Sequence, residues 1–157
     1  MSLEDARNFL EKYNRAKDII LFNESSATVE LAAKALGTDK GRIAKTLSLK
    51  VNENPILIVC TGDTVIDNRK YKDFFGQKAK MLSPEEVKEK IGHDIGGVCP
   101  FGIKDGVKIY LDESLKKYDH VYPACGSGNS AIKLDWQELE ALSQDSSWVD
   151  VCKIREL

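Results

Sequence analysis

The stretch TLSLKVNENPILIVC, residues 46–60, decides the fold. In TLSLKV (46–51) apolar and polar residues alternate, so a strand built from it buries one face and leaves the other polar. ILIVC (56–60) is apolar throughout, as befits a central strand covered on both sides. Asn52 to Pro55, between the two runs, are turn-forming residue types, and the whole reads as a β-hairpin.

Working outward, further β-like runs are DIILF (18–22), KAKML (78–82), VKIYLD (107–112), HVYPAC (120–125), SAIKLD (130–135) and WVDVC (148–152). Between them, capping chemistry marks helices. Ser83-Pro84-Glu85-Glu86 and Asp135-Trp136-Gln137-Glu138 each offer an N-cap oxygen and an acid three residues later. The first also has proline at the opening position and Gly92 as a stop. Helices are expected at 3–13, 27–36, 39–45, 68–75, 84–91, 113–117 and 135–142. Hairpins mixed with helices, without strict β-α-β alternation, imply an α+β fold. The expectation is a mixed, largely antiparallel sheet flanked by helices, in a single domain over residues 1–157.

The chain of 157 residues is 42% apolar and 31% charged, with four prolines, which suits a compact, ordered protein rather than a disordered one. No apolar run approaches the ~20 residues of a membrane span, and the N-terminus lacks a signal-peptide layout, so a cytoplasmic location without membrane partners is expected. A net charge of −2 excludes a grip on long duplex nucleic acid, DNA included, yet permits a partner offering one or two phosphates. Cys60, Cys99, Cys125 and Cys152 are widely spaced, with no C-x-x-C pair, so no metal site is expected. Nor is any cofactor.

Three elements stand out as candidate chemistry. The first is the loop DIGGVCPFGIKDG (94–106), whose glycines allow another molecule to approach the main chain and whose successive N–H groups can converge on an anion or carbonyl oxygen. It matches neither a Walker loop nor G-x-G-x-x-G. The second is CGSGNSAIKL (125–134), a glycine cluster opening into a strand. The third is Lys45, at the junction of TDKGRIAK and the strand TLSLKV. Ile43 and Leu47 are expected to point to the core, with Lys45 on the other side. With only His93 and His120 available, conventional catalytic sets are scarce. A Cys99 nucleophile beside His93, acting on a small ester, stays open as a reading.

In combination, IAKTLSLKV, GGVCPFG and GSGNSAIKL ahead of DWQEL resemble the YbaK/EbsC family, free-standing relatives of the editing domain of prolyl-tRNA synthetases. The resemblance spans Thr28 to Val151. It implies a trans-acting deacylase that hydrolyses the ester of a mischarged tRNA, such as tRNA(Pro), in translation quality control. Its partner would be the 3′ acceptor end of that tRNA, with prolyl-tRNA synthetase as a further candidate. Lys45 matches the functional lysine, with Thr46 following it. Gly96 and Pro100 match the ends of the Gly-x-x-x-P loop, and Gly126 opens the late loop.

On this reading Lys45, Gly96 and Gly97 are catalytic, the glycines through backbone N–H donors to a developing oxyanion. Thr28, Thr46, Cys99, Pro100, Phe101, Gly126, Ser127, Gly128 and Asn129 bind substrate. The late loop lacks the consecutive basic residues of the cysteine-specific branch, so the amino acid removed stays open. The alternative from a different class is a non-catalytic module that binds an acceptor end, a nucleotide or a synthetase.

Overall fold

In the computed structural model, which describes residues 2–155, the chain runs α1 (Ser2–Glu11), β1 (Ile20–Leu21), α2 (Val29–Leu36), β2 (Ile43–Val51), β3 (Asn54–Thr61), β4 (Thr64–Ile66), α3 (Asn68–Phe75), α4 (Pro84–Glu86), β5 (Lys108–Asp112), β6 (Tyr122–Pro123), β7 (Ser130–Ala131), α5 (Trp136–Leu142), β8 (Ser147–Val149) and β9 (Cys152–Ile154). The hairpin read from residues 46–60 is its centre. β2 and β3 pair antiparallel from Ala44 opposite Thr61 to Val51 opposite Asn54. The link is a two-residue turn, Asn52-Glu53, with φ of 50° and 68°. Such a left-handed pair matches the twist of the flanking strands. Asn52 holds it, since Gln77 Nε2 donates to its side chain at 2.9 Å and Gln77 Oε1 accepts its backbone N–H at 3.3 Å.

The main sheet has the order β6-β2-β3-β5-β8. It is mixed, as expected. Within it only β2–β3 is antiparallel, while β2–β6, β3–β5 and β5–β8 are parallel. Two small antiparallel pairs, β1–β7 and β4–β9, form separate two-stranded sheets beside it. One face carries Ala44, Leu57, Val59, Ile109 and Leu111, which pack with Ala6 and Leu10 of α1 and Leu139 and Leu142 of α5. The other carries Leu49, Ile56, Ile58 and Cys60, covered by Tyr71 of α3 and by Val149 and Val151. Each fully buried aliphatic side chain contributes roughly 1.5–3 kcal/mol. Both expected capping boxes form, Ser83 with Glu86 and Asp135 with Glu138. The helix expected at 84–91 is realised as α4 followed by a wider π turn, Val87–Ile91, closed by Gly92 N–H on Val87 C=O at 3.1 Å.

Several expectations need correction. The helix at 39–45 shrinks to a 3₁₀ turn, Lys40–Arg42, and β2 starts at Ile43. The β-branched Ile43 and the pairing offered by β3 and β6 outweigh the short helical pattern. Consequently Ile43, Lys45 and Leu47 share one face of β2, and Lys45 is not opposite the other two. KAKML yields a single bridge, Met81 to Leu49, and not a strand. WVDVC breaks at Asp150-Val151, where Val151 N–H donates to the buried Asp112 Oδ1 at 3.0 Å. β4 went unread. Among the described residues no helix is long and apolar enough to cross a membrane.

Candidate active site

The site begins as a gap in the ladder along the outer edge of β2. At one end β6 pairs only with Ile43 and Ala44. At the other, Leu82 N–H donates to Ser48 C=O and Lys50 N–H to Lys80 C=O, both at 3.0 Å. Backbone groups of alternate strand residues point to the same side, so the N–H and C=O of Thr46 face outward with those of Ser48 and Lys50. Among the described residues no partner takes them up. A cavity of about 200 Å³ opens there.

One wall of the cavity is the loop 94–98. Gly97 N–H donates to Asp94 C=O at 3.1 Å, closing a four-residue turn, and Gly96 at its third position has φ +93°. This is the type II arrangement, which requires positive φ there and hence favours glycine. Gly97 is also required, for a different reason. A Cβ on it would lie 2.5 Å from Ser127 N, so the two glycine-rich loops touch backbone to backbone at this point. Gly97 N–H is consumed inside the turn. The expectation that it donates to an oxyanion is therefore not met, and Gly96 N–H is the donor left without a partner among the described residues.

The adjoining wall comes from the start of α2, with Ala27 next to Gly96. Thr28 is its N-cap, accepting Leu31 N–H at 3.1 Å. Ser26, Ala27, Val29 and Ala32 line the cavity beside it. The positive end of a helix thus borders the space, which favours negative charge. Among the described residues Lys45 supplies the cavity's only charged side chain. It is half-buried, its ammonium donates to the Thr64 carbonyl, and no described carboxylate pairs with it. An ammonium has three donors, so two remain for a ligand. Two hydroxyls in the wall, Ser26 Oγ and Thr46 Oγ1, are buried without any partner among the described residues. Such groups are uncommon in folded proteins and recur at functional sites.

Of the residues singled out in the sequence, Thr28, Lys45, Thr46 and Gly96 line this cavity. The others stand behind it. Cys99 and Phe101 are fully buried in the core beneath the loop, because the turn at 94–97 directs the following chain inward. Cys99 Sγ lies 3.5 Å from His93 Nε2 and 3.6 Å from Phe101 O. Burial pushes this thiol up to about 12 and pulls His93 down, leaving both neutral. They form no thiolate–imidazolium pair, which corrects both the nucleophile reading and direct substrate contact by Cys99 or Phe101. Pro100 is likewise buried behind the wall.

Gly126 lies beneath the first turn of α1. Ser127 Oγ is 2.8 Å from Asn129 Oδ1 and 2.9 Å from Ser130 Oγ. Gly128 C=O accepts Ser26 N–H at 2.7 Å, and Asn129 C=O accepts Phe22 N–H at 2.8 Å. The late loop thus braces the segment 22–28 rather than lining the cavity. Ser26, Met81, Ile95 and Tyr122 were missed, since each is an ordinary residue in a loop or strand until the fold brings them together.

Residues 23–142 match the model for the aminoacyl-tRNA editing domain. The chain belongs to this editing family. The YbaK/EbsC resemblance read from its motifs holds. An uncharacterized protein of Bacillus subtilis, YwhH, is 51% identical to this editing domain over 154 residues, covering 98% of each chain. EbsC of Enterococcus faecalis, provisionally named a Cys-tRNA(Pro)/Cys-tRNA(Cys) deacylase, is 30% identical, covering 72% of this chain and 70% of its own. A crystal structure described provisionally as a trans-editing enzyme for prolyl tRNA synthetase superposes with a TM-score of 0.86 at 29% identity, covering 97% of both chains. Its α+β fold is the one this editing domain adopts.

Proposed function

We propose that the chain is a trans-acting deacylase that hydrolyses the ester linking a wrong amino acid to the 3′ end of tRNA, with tRNA(Pro) as the first candidate. The observation that carries this is the juxtaposition of an open Gly96 N–H, a Lys45 ammonium without a carboxylate and an apolar cavity of about 200 Å³. The provisional names of EbsC and of the trans-editing enzyme support the choice of tRNA(Pro).

The chemistry suits these groups. An aminoacyl ester is already activated, so hydrolysis needs a placed water and a stabilised oxyanion more than a strong nucleophile. Water oxygen adds to the carbonyl carbon, and charge develops on the carbonyl oxygen facing Gly96 N–H and the start of α2. The bond to the ribose oxygen then breaks, that oxygen takes the proton, and free amino acid leaves. One such backbone donor is typically worth ~3 kcal/mol in the transition state. Lys45 acts as a point charge that positions the phosphate or ribose of the terminal nucleotide. The adjacent ribose hydroxyl or an ordered water serves as base. Thr28, by capping α2, fixes the wall, while the loop 126–129 acts through Ser26.

One observation favours a second reading. Among the described residues no histidine, cysteine or carboxylate lines the cavity, which also suits a non-catalytic module that holds an uncharged acceptor end. The deciding experiment measures release of labelled amino acid from tRNA(Pro) charged with Ala, Cys, Ser or Thr. Hydrolysis of one species, lost in folded Lys45→Ala and Gly96→Ala, supports the deacylase. Tight binding of uncharged tRNA with no turnover of any species would replace it with the module.

A further inference from the structure

We propose that Ile95 and Met81 form an apolar collar at the cavity mouth on which the terminal nucleobase of the acceptor end stacks. The proposal rests on the editing reading and adds the surface that holds the part of the substrate the cavity does not.

Among the described residues, seven large apolar side chains stand well exposed, and the distribution is uneven. Ile95, 65% exposed, and Met81, 56% exposed, both line the cavity. Leu31 lies in the first turn of α2, its N–H on the Thr28 hydroxyl, and Leu21 sits opposite the cavity residue Ser130 in the β1–β7 pair. Of the seven, Ile95 and Met81 are the two that line the cavity. Single exposed apolar residues are ordinary, but two at one cavity mouth mark a surface that something covers.

The occupant follows from continuity with the cavity. About 200 Å³ accommodates a small aminoacyl ester, not the ester together with ribose and base. With the carbonyl at Gly96 and the ribose beside Lys45, the base emerges at the mouth. There it meets the exposed aliphatic side chains of Ile95 and Met81. A planar, unpaired nucleobase is the group with two apolar faces that this surface fits, and every base has such a face, so contact needs no sequence readout.

The backbone explains why Ile95 is available. It occupies the second position of the Asp94–Gly97 turn, the outer corner, where the side chain projects away from the protein. Met81 is held at its height by the bridge to Leu49. Both positions are exposed, so substitution leaves the core untouched.

The test is a binding cycle that needs no catalysis. A fluorescein-labelled acceptor-stem minihelix with a single-stranded 3′ end is titrated, once with its terminal base and once with an abasic terminal nucleotide. The proteins are the wild type, the double variant Ile95→Ser/Met81→Ser and the conservative Ile95→Leu. The wild type is expected to prefer the intact end about tenfold. The double variant should bind both ends alike, and Ile95→Leu should keep the preference. A double variant that retains the preference, or a wild type that shows none, overturns the collar. Loss of binding to prolyl-tRNA synthetase in the double variant, with base preference intact, also overturns it and makes the rim a protein-docking surface. Hydrolysis of the charged minihelix is read separately, so an inactive protein that still loses base preference in the variant would sink the deacylase reading while sustaining the collar.

Discussion

Gly97 donates its N–H to the carbonyl of Asp94 at 3.1 Å, and that bond closes a turn in which Gly96, at φ +93°, lines the cavity with no described partner for its own N–H. The relationship makes Gly96 the most sensitive position of the loop. A side chain there is strained by roughly 1–2 kcal/mol in the left-handed region. Its Cβ would also meet Ala27 Cβ at 3.1 Å, tighter than ordinary contact. Gly96→Ala is expected to lower folding stability by that modest amount and to reduce deacylation much further, because the donor moves. Denaturant unfolding and single-turnover release on the same preparation check it. Equal losses in both would reduce Gly96 to a structural residue.

Lys45 offers the opposite combination. Its ammonium has a carbonyl partner in Thr64 but no described carboxylate, so removing it leaves no buried anion behind. Lys45→Met should leave stability close to wild type while lowering kcat/KM roughly 10- to 100-fold, the worth of one charged hydrogen bond. Lys45→Arg should recover part of the binding. Unchanged kcat/KM in Lys45→Met would remove the lysine from the site.

For Cys99 the expected outcome is retained activity. With the thiol pushed up to about 12 by burial, only ~10⁻⁴ of it is thiolate at pH 8. Cys99→Ala should keep kcat and cost ~1 kcal/mol in stability from lost packing. Native alkylation of this thiol should be slow. Loss of turnover in a stably folded Cys99→Ala would restore the nucleophile.

What the sequence made legible divides along physical lines. The hairpin, α3 at 68–75 and both capping boxes were readable because periodicity, turn chemistry and caps are local. Lys45, Thr46 and Gly96 were found through motif order. Ser26, Met81 and Ile95 were not, since their importance lies in the gap between β6 and the segment 80–82, which is a property of pairing across the chain. Cys99 was misjudged for a related reason. Loop composition suggested exposure, while the turn at 94–97 sends residues 99–101 into the core.

Acid should loosen one wall of the cavity. Ser83 N–H donates to Glu86 Oε1 at 2.9 Å, and Lys50 Nζ lies 3.1 Å from Glu86 Oε2, joining α4 to β2. First the backbone bond, then the Lys50 ammonium, hold this carboxyl at about 2. An unfolded glutamate titrates near ~4.3. Because the folded value is depressed, the stabilisation is present above the unfolded value and is lost as pH falls toward 2. Thermal unfolding between pH 5 and pH 2 should therefore show a smaller drop in Tm for Glu86→Gln than for wild type. Parallel curves would show that the contact contributes nothing.

The first residue of α1 ties the N-terminus to the turn. Ser2 Oγ accepts the N–H of Asp94 at 3.0 Å and donates to Gly92 C=O at 3.3 Å. Asp94 is the residue whose carbonyl closes the turn, so Ser2 pins the base from which Gly96 projects. Replacing it by alanine leaves two backbone groups unpaired at a cost of about 1 kcal/mol. Ser2→Ala should speed hydrogen exchange at the Gly97 amide and lower deacylation, while Ser2→Thr, which keeps the hydroxyl, should restore both. Exchange at Gly97 that does not change in Ser2→Ala would detach α1 from the site and leave the turn to its own bond.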